Sequence, residues 1–82
     1  MADDKIQYLI LDRRDPSCTT ARYYVLAVEP SRFGDATLIR EWGRIGRQGQ
    51  RRIELYDRYD QAAEQLEALL RRKSRRGYVV RS

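Results

Sequence analysis

Short runs of β-branched and aromatic residues recur through the first two thirds of the chain, and they predict the strands of a β-sheet. Four runs are long enough to form strands, at residues 6–11, 22–28, 37–42 and 50–56. The polar stretches between them contain Pro16, Pro30 and Gly34, which are typical of loops. Successive strands joined in this way are expected to lie next to each other and to run antiparallel.

The apolar pattern becomes helical late in the chain. Apolar residues recur there at steps of three and four, which places one stripe along a helix: Tyr59, Ala62, Ala63, Leu66, Leu69 and Leu70. Asp57 and Asp60 are both candidate N-terminal caps, and Gly77 is expected to end the helix before residues 78–80, which form a short closing strand or a tail packed on the sheet. The expected fold class is α+β, a small antiparallel sheet of four to five strands with one amphipathic helix packed on one face.

The environment of Trp42 depends on which face of the third predicted strand points inward. Side chains alternate along a strand, so Leu38, Arg40 and Trp42 share one face. Ile39 and Glu41 share the other. If Ile39 points into the core, Trp42 lies on the solvent side, whereas an inward Leu38 takes Trp42 inward as well. The sequence leaves both alternatives open.

Positive charge is concentrated in the later part of the chain. Residues 31–82 carry thirteen basic and seven acidic groups, a net charge of +6, while residues 1–30 carry a net charge of −1. Fifteen of the seventeen basic residues are arginine, whose planar guanidinium suits phosphate and carboxylate. This distribution favours an anionic partner, although an arginine-rich genome would produce the same composition.

Several classes of function lack the residues that they need. Cys18 is the one cysteine and there is no histidine, so neither an internal disulfide nor a cysteine–histidine metal site is expected. Without a histidine base, an HExxH or CxxC motif or a Walker A sequence, we expect no enzyme and no cofactor. The N-terminus does not resemble a signal peptide, and the apolar runs are far shorter than the roughly 20 residues that cross a bilayer. A cytoplasmic protein with one domain over residues 1–82, and a core over about 6–80, is expected.

The segment between the third and fourth predicted strands is the candidate binding site. It follows Trp42, the single tryptophan, and holds three of the five glycines between Gly43 and Gly49. Glycine lets the backbone bend tightly or approach a ligand closely, arginines can hold phosphates, and an indole can stack on a base or sugar. The candidate nucleic-acid-binding residues are Trp42, Gly43, Arg44, Arg40, Arg47, Arg51, Arg52 and Lys73. The alternative is a core tryptophan beside a solvated, charged hairpin.

These residues also carry a resemblance to a known family. The run Trp42-Gly43-Arg44-Ile45-Gly46, followed closely by Gly49-Gln50, resembles the signature of the WGR domain family. Arg22-Tyr23-Tyr24 resembles the start of the aromatic strand upstream in that family. The helix ending at Lys73, followed by Gly77-Tyr78, resembles its C-terminal pattern. The resemblance covers roughly residues 6–80.

The resemblance implies a compact antiparallel sheet with one helix. WGR domains occur as modules of DNA-dependent poly(ADP-ribose) polymerases and as small stand-alone bacterial proteins. In the polymerases the module binds DNA near a strand break, through the tryptophan and arginine of the motif, which correspond here to Trp42 and Arg44. It also communicates with a catalytic domain. These 82 residues include no such domain, so that signalling role is not expected of them.

Two functions remain open at this stage. The first is a nucleic-acid-binding module for DNA, more than for RNA, that recognises ends or strand breaks through phosphate contacts and a stacking tryptophan. The second is a protein-interaction or accessory module whose arginine-rich surface binds an acidic partner or serves a separately encoded repair or modification enzyme. Phosphate and carboxylate attract the same guanidinium groups, so the sequence does not separate the two.

Overall fold

The computed structural model describes residues 7–14 and 21–81, which form one antiparallel sheet with a helix packed against it. The elements in chain order are β1 Gln7–Arg14, β2 Ala21–Pro30, β3 Ala36–Arg44, β4 Gln50–Tyr56, α1 Tyr59–Arg75 and β5 Val79–Val80. The order across the sheet is β4-β3-β2-β1-β5, so β5 returns to pair with β1 at the edge opposite β4. The predicted α+β fold is confirmed.

The core lies between α1 and one side of the sheet, which is called here the helix face. Its buried side chains come from alternate strand positions and one stripe of the helix: Leu11, Tyr24, Leu26, Val28, Ala36, Leu38, Ala62, Leu66 and Leu69. The intervening strand residues form the opposite side, called here the open face. Ile53 and Leu55 lie there and remain 56% and 78% exposed, because they are on the edge strand of the face that α1 does not cover.

Strand β3 is longer than predicted, and this changes the candidate binding site. It continues through Gly43 to Arg44, because β2 extends far enough to pair with it, with Arg22 opposite Arg44. The amide of Ile45 then donates a hydrogen bond of 2.9 Å to the carbonyl of Ala21. The Trp-Gly-Arg motif is therefore part of a strand rather than of a loop, and the connection to β4 is shortened to residues 45–49.

The two ends of α1 differ in how well they were predicted. Neither Asp57 nor Asp60 is the N-terminal cap; that position is taken by Arg58, which makes no side-chain capping bond. The amide of Tyr59 instead donates to the carbonyl of Gly34, at 3.2 Å, so a backbone group from the β2–β3 loop replaces the expected carboxylate. At the other end, Gly77 follows the helix with a φ of +96°, and its predicted role as the stop is confirmed.

The parity of β3 is settled by Leu38, which points inward and is fully buried. Trp42 therefore lies on the helix face, as the second of the two alternatives required. It sits near the end of the strand, packs against the core and remains partly exposed. The indole is neither a free side chain on a loop nor a fully enclosed core residue.

Some predictions concern residues outside the described part of the chain. These are the turn at Pro16, the thiol of Cys18 and the predicted start of the first strand at Ile6. Within residues 7–14 and 21–81, no helix combines the length and the apolar character that spanning a membrane requires.

Candidate functional site

Three aromatic rings meet at the end of the helix face where α1 terminates. Trp42 on β3 lies directly opposite Tyr24 on β2, and their rings stack with centroids 5.6 Å apart and planes 13° apart. Tyr78, just after Gly77, meets the ring of Tyr24 edge-on at 6.1 Å. Tyr24 is buried, whereas Trp42 and Tyr78 are partly exposed. These three residues are called here the aromatic cluster.

Lys73, in the last turn of α1, lies over the aromatic cluster. Its Nζ is 4.4 Å from the ring centroid of Tyr24 and 5.9 Å from that of Tyr78, distances at which a cation is attracted to an aromatic face. Desolvation by burial, followed by repulsion from Arg76, Arg40 and Arg72, lowers the pKa of Lys73 from its usual value. No carboxylate within residues 7–14 and 21–81 pairs with it. An anion at this position would be attracted by several cations at once.

Arg40 lies on the helix face, and its side chain is held by contacts with neighbouring strands, so that it is only 20% exposed. Its Nε donates a hydrogen bond to the hydroxyl of Tyr24 at 3.2 Å, and its Nη1 lies 3.3 Å from Oε2 of Glu54. Arg52 shares the same carboxylate, with its Nε 3.1 Å from Oε2. The guanidinium of Arg40 also lies 5.6 Å from the centroid of the Trp42 indole. Arg40 thus orients the aromatic cluster, and Glu54 neutralises part of the charge of both arginines.

The carboxylate of Glu54 also accepts a hydrogen bond from the hydroxyl of Tyr56, at 3.2 Å. Burial and the neighbouring Glu54 carboxylate together raise the pKa of Tyr56, with burial as the larger cause. This group of side chains links β3 and β4 next to the aromatic cluster. One carboxylate serves two arginines, so the group supports the site and still keeps a net positive charge.

Three arginines lie directly opposite one another at the same end of the helix face. Arg13 on β1 pairs in register with Arg22 on β2, which pairs in turn with Arg44 on β3. All three are exposed, and none has a carboxylate partner in the described part of the chain. Arg13 runs beside the helix stop, since a β-carbon on Gly77 would lie 3.7 Å from its Nε. These three residues are called here the arginine row.

The structure brings together only part of the predicted site. Trp42, Arg40, Arg44 and Lys73 meet at this end of the helix face, as described above. Arg51 points to the open face, opposite Glu41 in the β3–β4 register. Arg47 lies in the exposed loop that follows Arg44, and Arg52 is on the helix face but is paired with Glu54.

Two glycines of this region, Gly43 and Gly49, are required by packing within the protein itself. A β-carbon on Gly43 would lie 2.8 Å from the Cα of Gly49, and one on Gly49 would overlap the hydroxyl of Tyr23 and the carbonyl oxygen of Trp42. Gly46 has a φ of +90° and open space around it, so its conformation is what favours glycine there. The close approach expected of a glycine is thus made to Tyr23 and to the neighbouring strand.

Sequence reasoning missed Arg13, Arg22, Tyr78 and the role of Tyr24. The first two lie far from the motif along the chain, and only the register of β1, β2 and β3 places them beside Arg44. Tyr24 was expected in the sheet, but its stacking on Trp42 depends on the same register. One signal was available: Arg22 and Arg44 are equally far, in sequence, from the centre of the β2–β3 connection, and residues at equal distances lie opposite each other in an antiparallel hairpin.

The fold and the site together define a class of protein, a small basic α+β module that presents a tryptophan among cations, several of which have no acidic partner within the described residues. The chain matches the WGR domain over residues 8–82, and it belongs to the WGR domain family. WGR domains are generally nucleic-acid-binding modules. The motif that names the family is Trp42-Gly43-Arg44 in this chain.

A relative extends this comparison without adding a function. The chain is 44% identical, over 73 residues, to Uncharacterized protein y4dW of Sinorhizobium fredii. The match covers 89% of this chain and 36% of the relative, so the chain spans about a third of the relative's length. No solved structure matches the chain significantly.

Proposed function

We propose that this WGR domain binds DNA at ends or strand breaks, with cations of the helix face on the phosphates and Trp42 stacked on the terminal nucleotide. The supporting observation is that the aromatic cluster is bordered by cations that no carboxylate neutralises within residues 7–14 and 21–81. Arg44 and Lys73 are the central members of this set, with Arg76 beside them.

A polyanion is the natural ligand for this arrangement. Arg44 is exposed, and Lys73 is repelled by three neighbouring arginines, so a phosphate would reduce repulsion that the free protein must tolerate. Each phosphate that the protein neutralises on duplex DNA also releases counterions. The slope of the logarithm of affinity against the logarithm of salt concentration, called here the salt slope, steepens by about 0.9 for each such phosphate. Contacts of this kind position the ligand without reading its sequence.

The indole of Trp42 favours binding to DNA ends and breaks over binding to continuous duplex. Within a duplex each base has both faces covered by its neighbours, so an indole has no face on which to stack. At an end or an interruption one face is free, and stacking on it contributes about 1–3 kcal/mol. The ring is partly exposed and is held by Tyr24 and Arg40, which gives it a fixed position from which to cap a terminal nucleotide.

The test is a fluorescence-polarisation titration of a short, internally labelled blunt duplex, with competitor DNAs of one sequence. At equal length and equal molar concentration, linear DNA and nicked circular DNA are expected to compete more strongly than a covalently closed circle. RNA duplex serves as the comparison for the choice of nucleic acid. Equal and weak binding to every ligand, unchanged from low to moderate salt, would refute the proposal.

The chain offers a matched pair of variants for this assay. Arg44→Gln and Arg51→Gln remove the same charge from neighbouring strands, but Arg44 is on the helix face and Arg51 on the open face. Arg44→Gln is expected to weaken binding and to reduce the salt slope by about 0.9, while Arg51→Gln leaves the slope nearly unchanged. Equal effects from both would mean that total charge, and not this site, attracts DNA. Binding of poly-glutamate as tight as that of DNA would favour an acidic protein partner instead.

A further inference from the structure

Within residues 7–14 and 21–81, the arginine row has no carboxylate partner. Like charges placed directly opposite one another on neighbouring strands are destabilising, and here three positions in succession carry the same charge. The described residues supply no carboxylate to offset it, although Asp12 is adjacent in sequence. Asp12 points to the open face, where it pairs with Arg81 at 3.3 Å. Three exposed arginines in this register therefore indicate an anionic ligand that extends across three strands.

The spacing of the row matches the backbone of one nucleic-acid strand. Neighbouring strands lie about 4.8 Å apart, so the two ends of the row are separated by about 10 Å. A stacked strand of nucleic acid advances about 3.4 Å per nucleotide along its axis, and its phosphates are farther apart than this rise because the backbone winds around the axis, so the row spans about two to three consecutive phosphates. The two strands of a duplex diverge across its grooves, so a close, straight row of cations suits one strand better than two.

The direction of the row relative to Trp42 determines which strand can reach it. Tyr24 covers the indole on the side of β2, so a terminal base has to stack on the face turned away from β2, the side on which Gln50 of β4 lies opposite Trp42. The row runs the opposite way, from Arg44 through Arg22 on β2 to Arg13 on β1. A duplex capped by Trp42 therefore lies on one side of the ring. The row begins with Arg44 next to the capped nucleotide, and Arg22 and Arg13 lie beyond its last base pair.

We infer that the arginine row is a binding site for a single-stranded overhang, which continues past the nucleotide capped by Trp42 and places its first two to three phosphates on Arg44, Arg22 and Arg13. The inference rests on the proposed function, because it assumes that Trp42 caps a terminal nucleotide. It adds a second part to the site and a preference among DNA ends, since blunt ends leave Arg22 and Arg13 without a ligand.

The test compares one duplex with blunt ends and with overhangs of one, three and six nucleotides, each made as 5′ and as 3′ extensions. With the unaltered protein, affinity is expected to rise up to an overhang of about three nucleotides for at least one polarity, and then to level off. The gain is about two- to fivefold for each phosphate held by an exposed arginine. The salt slope should steepen by about 0.7 for each such contact on a single strand.

The double variant Arg13→Gln/Arg22→Gln is expected to abolish the gain from the overhang and to leave the affinity for the blunt duplex nearly unchanged. Arg51→Gln, on the open face, is the charge control and should keep the gain. Thermal unfolding without DNA provides an independent readout. Because it removes like-charge repulsion, the double variant should melt at the same temperature as the unaltered protein or at a higher one in low salt.

The outcomes separate the two proposals. If the unaltered protein binds no DNA end, the proposed function fails and the overhang site fails with it. If it binds blunt ends but gains nothing from either overhang, or if the double variant retains the gain, only the overhang site is refuted. A double variant that melts at a markedly lower temperature would show that the row stabilises the fold, which also overturns the inference.

Discussion

Trp42 combines a structural contact with an exposed ring surface, and its substitution should affect two measurements differently. Trp42→Ala is expected to weaken DNA-end binding by about 1–3 kcal/mol, the range for base–aromatic stacking, without changing the salt slope. The loss of the stack on Tyr24 should also cost stability, with the aromatic pair alone contributing about 0.5–1.5 kcal/mol. Polarisation titrations and urea unfolding measure the two effects. A changed salt slope would contradict a pure stacking role.

Lys73 gives a direct spectroscopic view of the site. The chain has two lysines, Lys5 and Lys73, so ¹³Cε-labelled lysine gives two signals, which Lys73→Arg assigns. Because desolvation and the nearby arginines disfavour its charged form, Lys73 should titrate below 10.5 in the free protein. Bound phosphates would favour the charged form, so DNA should raise that pKa. A Lys73 signal that titrates identically with and without DNA would place the phosphates elsewhere.

The same shift in pKa predicts how Lys73 affects stability. Folding lowers the pKa of this amine, so folding disfavours the protonated form. The unfavourable contribution is therefore fully present at neutral pH, and it disappears as the pH rises from the lowered value to 10.5. Lys73→Gln removes the titrating group, and the difference in stability between this variant and the unaltered protein should change in that alkaline window. Urea unfolding at a series of pH values measures it.

Gly49 shows that a glycine beside a binding motif can be required by packing alone. Its φ is not positive, yet an added β-carbon would overlap both Tyr23 and the backbone of Trp42. Gly49→Ala is therefore expected to destabilise the protein by about 1–3 kcal/mol, as overpacking does elsewhere. Gly46→Asn is the control, because Gly46 has open space and asparagine tolerates a positive φ. Equal losses of unfolding free energy in both variants would contradict the steric explanation.

Among the elements, the sheet and helix could be predicted because their hydrophobic periods are regular. β4 begins and ends where the pattern predicts, and α1 contains the whole predicted apolar stripe from Tyr59 to Leu70. β3 was predicted to end at Trp42, because a glycine and an arginine interrupt its apolar pattern. Its partner β2 supplies hydrogen-bonding groups as far as Ala21, and this long-range pairing extends β3 to Arg44. Local composition carries no information about such a partner.

The binding residues were harder to predict than the elements, because the face of each residue depends on register. Shifting a strand pair by one residue moves every side chain to the other face of the sheet. Arg51 and Arg52 are adjacent in the chain, but they lie on opposite faces and have different partners. Arg22 is close to Arg44 only because the β2–β3 connection contains five residues, from Ser31 to Asp35.

The two faces of the sheet should differ sharply in their tolerance of substitution. Leu38, on the helix face, is fully buried, and Leu38→Ala is expected to cost about 2–5 kcal/mol of unfolding free energy. Leu55, on the open face, is 78% exposed, and Leu55→Ala should change stability by no more than about 0.5 kcal/mol. Urea midpoints of the two variants measure the contrast. A large loss for Leu55→Ala would mean that something covers the open face in solution.

For the molecule as a whole, the net charge of +5 matters less than its location. If about four cations at the end of the helix face contact phosphates, affinity for duplex ends should fall about a hundredfold between 50 and 200 mM salt. Titrations at four or more salt concentrations give the slope, and with it the number of phosphates engaged. A salt slope smaller than one in magnitude would mean that about one phosphate or fewer is engaged, which would contradict a site built from several cations.

The grouping of the unpaired cations at one end of the helix face has a consequence for the encounter with DNA. The β2–β3 loop and the start of α1, at the opposite end of the strands, carry four acids against two arginines, a net charge of −2: Glu29, Asp35, Asp57 and Asp60 with Arg32 and Arg58. A body with its positive and negative poles so arranged experiences a torque in the field of a polyanion, and it rotates before contact is made. The molecule should therefore approach DNA with the Trp42 end facing it. The fraction of collisions that lead to binding should be larger than for a uniformly charged module of the same size.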